Sequence, residues 1–268
     1  MKHRFTSCYL DSPLQIERVY DVFMPESEMR DISVFMIHGG GWRAGSRSRH
    51  FHGLMEELNR RGYIAASTDY RLNVTPAEQL ADVRESYLHF AGVLREAGRP
   101  VKIAVYGSSA GAHLGSLLTC AMPGDCGDSF PKEDWIPPVC GVFQSCPASF
   151  EPWEDIFPGI WNSMRNVVGV PYEKDPEPYR KLSLDRQIRP GNPPVFFLEA
   201  ELEEMFWPQQ KLELARKMSV MGNRALVKIY PKVEHGFLYS LERRQQREAF
   251  DDFLRFLEGK EIHGTASI

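Results

Sequence analysis

The pentapeptide GSSAG, from Gly107 to Gly111, contains the strongest candidate for a reactive side chain. It follows the apolar run VKIAVY and precedes AHLGSLLTCAM, a run typical of a helix. The spacing Gly107–Ser109–Gly111 matches G-x-S-x-G, in which a serine occupies a strained turn between a strand and a helix. Because so sharp a turn leaves no room for Cβ atoms beside the serine, glycine suits both flanking positions. We therefore expect Ser109, and not its neighbour Ser108, to be a nucleophile.

The spacing of these glycines excludes two other interpretations of the turn. Gly107, Gly111 and Gly115 are four residues apart, so the G-x-G-x-x-G of a dinucleotide loop is absent. No G-K-[ST] follows either, which excludes a nucleotide phosphate loop. Glycine and serine are nevertheless common between a strand and a helix. The pentapeptide therefore needs partner residues before it indicates catalysis.

A run of three glycines in HGGGW, residues 38–42, follows the apolar run ISVFMI. Bare backbone approaches a ligand closely, and N–H groups there can hold the negative charge that develops during acyl transfer. We expect the N–H groups of Gly39 and Gly40, together with that of Ala110, to form an oxyanion hole. The alternative is a flexible turn without a ligand.

A general base must be chosen among eight histidines, and only position can choose it. His235, in VEHGF, lies after the last strand-like run and before the final helix-like run. His38 belongs to the glycine run, and His113 lies one turn into the helix that follows the serine. The remaining five histidines have no comparable context. His235 is therefore the predicted base.

A triad in the chain order serine, acid, histidine needs a carboxylate in the loop after the strand-like run PPVFFLEA. That loop reads ELEEMFWP and contains no aspartate. Glu201, Glu203 and Glu204 are all candidates, and the residues alone do not decide among them.

Six apolar runs that alternate with helical periodicity predict βαβ units and a parallel sheet with helices on both faces. The run IERVYDVFMP predicts a further, antiparallel strand at the sheet edge. Thr75, Pro76 and Glu78 predict a capped helix start. Residues 151–194 are rich in proline and aromatic side chains and lack clean periodicity, so they predict an irregular lid or binding insertion. The alternative is a surface segment without a role in binding.

Composition narrows the class of protein. A chain of 268 residues, 43% apolar, fits one domain over residues 1–268. A net charge of −4 without a basic block argues against a nucleic-acid partner. No signal-like or membrane-spanning apolar run occurs, so we expect a cytoplasmic protein without a membrane span. Five cysteines without CxxC spacing predict reduced thiols and no metal site. No cofactor is implied, and the oligomeric state stays open.

Taken together, the motifs resemble the α/β-hydrolase superfamily, and within it the hormone-sensitive-lipase-like and feruloyl or acetyl-xylan esterase-like carboxylesterases. IHGGGWRAGSRS, STDYRLN with TPAEQLADV, VYGSSAGAHL, the segment around FFLEAELEEMFWP, and VEHGF occur in the order of such esterases. The resemblance places Glu203 where relatives usually carry aspartate. The sequence differs from the usual pattern of these esterases at two positions: Glu203 replaces the usual aspartate, and Ala200 stands where relatives often have glycine.

The resemblance implies an α/β-hydrolase fold and a serine carboxylesterase that hydrolyses small acyl esters through Ser109, His235 and Glu203. Aromatic side chains at Trp42, Trp153 and Phe206 are expected to line a substrate pocket, although core positions are an equal alternative. An arylformamidase-like amide hydrolase shares these motifs and is the rival enzyme. A binding protein of the same fold without catalysis is the third alternative.

Overall fold

The apolar runs of the sequence form strands of one sheet in the computed structural model, which describes residues 3–10, 18–26 and 28–266. Eight strands lie in the order β1-β2-β4-β3-β5-β6-β7-β8. Their bounds are β1 Arg4–Cys8, β2 Val19–Phe23, β3 Ile32–Ile37, β4 Ala65–Thr68, β5 Lys102–Ser108, β6 Cys140–Gln144, β7 Val195–Leu202 and β8 Ala225–Glu234.

Strands β4, β3, β5, β6, β7 and β8 pair in parallel, as the alternating pattern predicts. The predicted antiparallel strand is β2, which pairs with β4. Its predicted place at the sheet edge is wrong, because β1 pairs with its outer side. Strand β1 has no fully buried side chain, so its sequence RFTSC carries little hydrophobic signal. Strand β7 also extends two residues beyond Ala200, with a register shift before Leu202.

The described residues contain eight helices, and five of them, α1, α2, α3, α7 and α8, pack against the sheet. Helices α2 and α3 pack on one face and helices α1 and α8 on the other, each over its own buried apolar cluster. This arrangement confirms the predicted α/β class, a mostly parallel sheet with helices on both faces. The helix bounds are α1 Arg47–Arg60, α2 Pro76–Glu96, α3 Ala110–Cys120, α4 Pro158–Val168, α5 Glu177–Leu182, α6 Leu184–Gln187, α7 Pro208–Val220 and α8 Arg244–Leu257.

The segment 151–194 is less irregular than its sequence suggests, because it contains α4, α5 and α6. Pro158 opens α4, and Gly169, with φ of 80°, ends it in the left-handed conformation that glycine adopts without strain. The three helices have 11, 6 and 4 residues. Helices this short show too few turns for a periodic pattern to stand out.

Helix α2 begins with the predicted capping box. The Thr75 hydroxyl accepts a hydrogen bond from the Glu78 N–H, and the Glu78 carboxylate accepts one from the Thr75 N–H at 2.9 Å. The predicted apolar face of this helix is fully buried against the sheet, through Leu80, Val83, Tyr87, Phe90 and Leu94. The cap therefore fixes where the longest described helix starts.

Two further properties concern the chain as a whole. All five cysteines are free thiols, and four of them are buried. Within the described ranges, no helix combines the length and the apolar character that crossing a bilayer requires.

Replacing Thr75 by Ala removes the side-chain acceptor of this capping box, so we expect the free energy of unfolding to fall by about 1 kcal/mol. The midpoint of thermal unfolding would drop by about 2–4 °C. Ser219→Ala, at an exposed position in α7, is the matched control and should leave that midpoint within a degree or so of wild type. Equal midpoints for the two variants would contradict a stabilising role of the cap.

Candidate active site

Ser109 lies at the junction of β5 and α3 in a strained backbone conformation, with φ of 54° and ψ of −120°. Its N–H donates to the Gln144 carbonyl, and its own carbonyl accepts from the His113 N–H, both at 3.0 Å. A Cβ on Gly107 would lie 2.3 Å from the Gly111 carbonyl oxygen, and one on Gly111 would lie 2.0 Å from the Ile37 carbonyl oxygen. Any larger residue at either glycine would therefore force the turn apart.

Two hydrogen bonds join Ser109, His235 and Glu203 in a continuous chain. The serine Oγ lies 2.8 Å from His235 Nε2, and His235 Nδ1 lies 2.7 Å from Glu203 Oε2. The three residues follow β5, β8 and β7, whose parallel direction brings their carboxyl ends to the same sheet edge. The structure thus brings together the three side chains that the sequence and the resemblance single out.

Glu203 is held on both carboxylate oxygens, and its side chain is fully buried. Oε1 accepts hydrogen bonds from the backbone N–H groups of Met205 and Phe206, at 2.9 and 3.3 Å. Burial pushes the pKa of Glu203 upward, but the bonds and charge of His235 and the N–H donors outweigh it and lower the pKa below its usual value. The group is therefore a carboxylate at neutral pH.

The other two acidic candidates lie away from His235. Glu201 is exposed at the end of β7, where its carboxylate accepts from the Lys232 N–H at 2.8 Å. Glu204 is exposed as well. Of the three glutamates, only Glu203 contacts the imidazole.

Ser145 is a residue at this site that sequence reasoning missed. It directly follows β6, has φ of 49°, and is fully buried. Its hydroxyl accepts from the Gly236 N–H at 3.2 Å and hydrogen-bonds to Glu203. Ser145 thus connects the loop of the acid with the loop of the histidine. Its place at the carboxyl end of a central parallel strand was the signal that could have found it.

The glycine run packs directly against the serine. A Cβ on Gly39 would lie 3.2 Å from the Ser109 Cβ and 2.7 Å from the Ser108 carbonyl oxygen. Gly40 has φ of 129°, and its carbonyl accepts from the N–H groups of Arg43 and Ala44. The glycines are therefore required by the fold of this loop as well as by any approach of a ligand. Ala110, the first residue of α3, follows Ser109 directly.

His38 fixes the start of the loop that contains the glycine run, residues 38–44, which we call the glycine loop. Its ring is 1% exposed, and Nδ1 lies 2.8 Å from the Gly39 carbonyl oxygen. Because a carbonyl only accepts, Nδ1 carries the proton. The Tyr70 hydroxyl donates to the His38 carbonyl at 3.0 Å, and the two rings stack with centroids 4.5 Å apart. Burial lowers the pKa of His38, so the ring is a neutral brace and not a charged group.

Trp42 occupies the core, which corrects the expectation that it lines a substrate pocket. It is 1% exposed, and its indole N–H donates to His113 Nδ1 at 3.2 Å. His113 Nε2 in turn donates to the Leu182 carbonyl at 2.7 Å, and Phe150 stacks on the His113 ring. Burial lowers the pKa of His113 to about 4, which keeps this bridging ring neutral.

Phe206 lies beside His235, and Trp153 lies beside Phe206. The Phe206 ring centroid is 5.8 Å from that of His235 and 6.3 Å from that of Trp153. Phe206 is 1% exposed and packs against the imidazole, so, as for Trp42, its burial corrects the expectation that it lines an open substrate pocket. Trp153 is half-buried and belongs to the segment 151–194.

A cavity of about 660 Å³ lies at the other end of the glycine loop. Arg43 from that loop, residues 72–75 before α2, and Asn166 and Val167 from α4 are among its lining residues. Its walls therefore come from the glycine loop and from the segment 151–194. Within the described residues, no group of three histidine, cysteine or acidic side chains could hold a metal ion.

Comparisons with known proteins agree with this fold. Over 88 residues the chain is 35% identical to a protein of Mycobacterium tuberculosis (strain ATCC 25618 / H37Rv) named "Probable carboxylic ester hydrolase LipM". That match covers 31% of this chain and spans about a fifth (20%) of the relative's length.

Two solved structures of an esterase from Thermogutta terrifontis superpose over nearly the whole chain. The propionate-bound form of its esterase Est2 gives a TM-score of 0.75 at 20% identity, covering 96% of this chain and 94% of that one. Esterase 2 phosphoramylated by tabun gives 0.78 at 19% identity, covering 97% and 95%. These superpositions show that the α/β-hydrolase fold spans nearly the whole chain.

The family model described as BD-FAE matches residues 20–218, a range that includes the glycine loop, the turn at residues 107–111 and the loop after β7 that carries Glu203. Since this range is well over half of the sequence, the chain belongs to the BD-FAE family.

Proposed function

We propose that this protein is a serine carboxylesterase in which Ser109 attacks the ester carbonyl while His235 accepts its proton. The observation that carries the proposal is the unbroken chain of 2.8 and 2.7 Å contacts from Ser109 through His235 to Glu203. Glu203 would fix the tautomer of the imidazole and stabilise the imidazolium. His235 then returns the proton to the leaving alkoxide, and water repeats the sequence to release the acid.

Backbone N–H groups around the serine would hold the oxyanion of the tetrahedral intermediate. Gly39 lies against the Ser109 side chain, and Ala110 begins α3, where the helix dipole favours negative charge. Gly40 is the third proposed donor. Because the loop is braced by His38 and Tyr70, such donors would need little rearrangement during the reaction.

An ester with a small acyl group is the substrate class best supported. Phe206 packs against the imidazole and is buried, and the half-buried Trp153 packs against Phe206, so the surroundings of the histidine are apolar and crowded. A structure similar to this one is an esterase with propionate bound. Alkoxides also leave more readily than amines, which favours an ester over an amide. Comparing turnover of p-nitrophenyl acetate with that of N-formylkynurenine tests this choice.

We further propose that the segment 151–194 covers the site. Its Trp153 reaches the Phe206 ring, and its Leu182 carbonyl accepts from His113 of the helix that follows the serine. Asn166 and Val167 of the same segment line the cavity beside the glycine loop. The non-reacting part of a larger ester would then lie under this segment.

Ser109→Ala should abolish both ester turnover and labelling by a fluorophosphonate probe, because Ser109 supplies the hydroxyl that hydrogen-bonds to His235 Nε2. A similar esterase is phosphoramylated by tabun, which makes an organophosphorus probe a suitable reagent. Ser108→Ala is the matched control. Its hydroxyl bonds to the Tyr239 hydroxyl at 2.6 Å and not to the histidine, so labelling should persist. Full labelling of Ser109→Ala would overturn the assignment of the nucleophile.

Glu203→Gln should lower kcat by about 10³–10⁴-fold, as the amide replacement does in a related triad. Both Glu203 oxygens accept hydrogen bonds, so an amide must turn its NH₂ group toward a donor and disturb the histidine tautomer. The measurement is kcat for p-nitrophenyl acetate at pH 8.

Glu201→Gln and Glu204→Gln control for the loss of a carboxylate in the same loop. Both side chains are exposed and away from the imidazole, so each variant should retain kcat within about twofold. A Glu203→Gln enzyme as active as these controls would mean that the acid is not Glu203.

A further inference from the structure

The side chains of a glutamate and a lysine lie buried together close to the loop that carries Glu203. Glu199, on β7, and Lys211, in the first turns of α7, both have fully buried side chains. Their Oε2 and Nζ atoms are 3.3 Å apart. Burying such groups is costly unless they are paired or hydrogen-bonded, so a pair in the core beside the site calls for a physical reason.

Lys211 is connected to the acid through one residue. Its ammonium group donates to the Phe206 carbonyl oxygen. The N–H of the same Phe206 donates to Glu203 Oε1, and its ring packs on the imidazole of His235. A shift of Phe206 would therefore move one hydrogen bond to the carboxylate and one contact to the histidine together.

The acidity of Glu199 follows from its surroundings. Burial raises the pKa of Glu199 to about 8, against the opposing effect of Lys211 and with a further contribution from the Glu203 carboxylate. Cys146, after β6, lies near the pair, and burial raises the pKa of its thiol to about 12. Burial thus raises the pKa of Glu199 while the hydrogen bonds of Glu203 lower the pKa of that carboxyl, so the two neighbouring groups differ in acidity.

We propose that Lys211 and Glu199 are positioning residues, which hold the Phe206 backbone so that Glu203 and His235 keep the geometry needed for catalysis. Lys211 holds the Phe206 carbonyl through a hydrogen bond, and Glu199 is the ionisable partner 3.3 Å from the same Nζ. Neither residue contacts Ser109 in the described residues. The inference rests on the proposed function, because it assigns Glu203 as the acid.

The test is Lys211→Met, which keeps the length of the side chain and removes its donors. We expect kcat to fall about tenfold, the effect of losing one charge-assisted hydrogen bond, while KM stays unchanged. We also expect the downfield proton resonance of His235 Nδ1, identified by its loss in His235→Gln, to shift or broaden. That resonance reports the bond to Glu203 without requiring turnover.

Lys228→Met is the matched control, since it removes another buried lysine. Lys228 pairs with Asp252 at 2.6 Å, between β8 and α8, and is 8% exposed. Its loss should lower the midpoint of thermal unfolding but leave kcat and the Nδ1 resonance as in wild type. If kcat fell and the Nδ1 resonance shifted in both lysine variants, the cause would be the loss of any buried ion pair, and the positioning role of Lys211 would be wrong.

Replacement of Glu199 tests the second half of the pair and does not depend on the folding of the lysine variant. Because the amide oxygen of a glutamine can still accept from Lys211 Nζ, Glu199→Gln should keep kcat within about twofold of wild type. Glu199→Leu leaves the ammonium without an oxygen on that side and should lower kcat about tenfold. Equal kcat for the Gln and Leu variants would remove Glu199 from the proposal.

The outcomes separate this inference from the proposed function. If wild type hydrolyses esters and Lys211→Met matches it in kcat and in the Nδ1 resonance, the positioning role is wrong and the esterase stands. If wild type hydrolyses no ester but the resonance shifts in Lys211→Met and not in Lys228→Met, the positioning role stands and the proposed function fails.

Discussion

The close approach of Gly111 to the end of β3 is the contact on which the rest of the site depends. The Ile37 and His38 carbonyl oxygens would lie 2.0 and 2.4 Å from a Cβ at this glycine, so α3 rests on the point where the glycine loop begins. One packing constraint therefore sets both the strained serine and the backbone in front of it. Glycine at this position lets a strand, a turn and a helix meet without intervening side chains.

Parallel strands then bring distant parts of the chain to the same edge. Ser109, Ser145, Glu203 and His235 each lie just beyond the carboxyl end of a neighbouring strand, from β5 across to β8. The sheet supplies their approximate positions, and backbone N–H groups supply the orientation of the acid. Electrostatics follow from the same arrangement, since those donors and the imidazole keep a buried carboxylate ionised.

Much of this could be predicted because it depends on local pattern. Six apolar runs, the capping box of α2 and the two glycine motifs are periodic or sterically constrained, so the sequence reveals them directly. The choice of Glu203 needed resemblance, because three glutamates share one loop and only tertiary contacts separate them. Ser145, Tyr70 and the Glu199–Lys211 pair were missed because their roles lie in contacts between distant segments. Trp42 was misplaced because an aromatic side chain near a loop serves a core or a pocket equally well.

The neutral imidazole of His113 has a consequence for how separate segments are coupled. It accepts from Trp42 of the glycine loop and donates to Leu182 of the segment 151–194, while its own backbone belongs to the helix behind Ser109. A single ring thus fastens three separate parts of the chain. Because the Leu182 carbonyl accepts the proton on Nε2, that contact fixes the tautomer in which Nδ1 accepts from the Trp42 indole, so the position of one proton couples the segment 151–194 to the glycine loop.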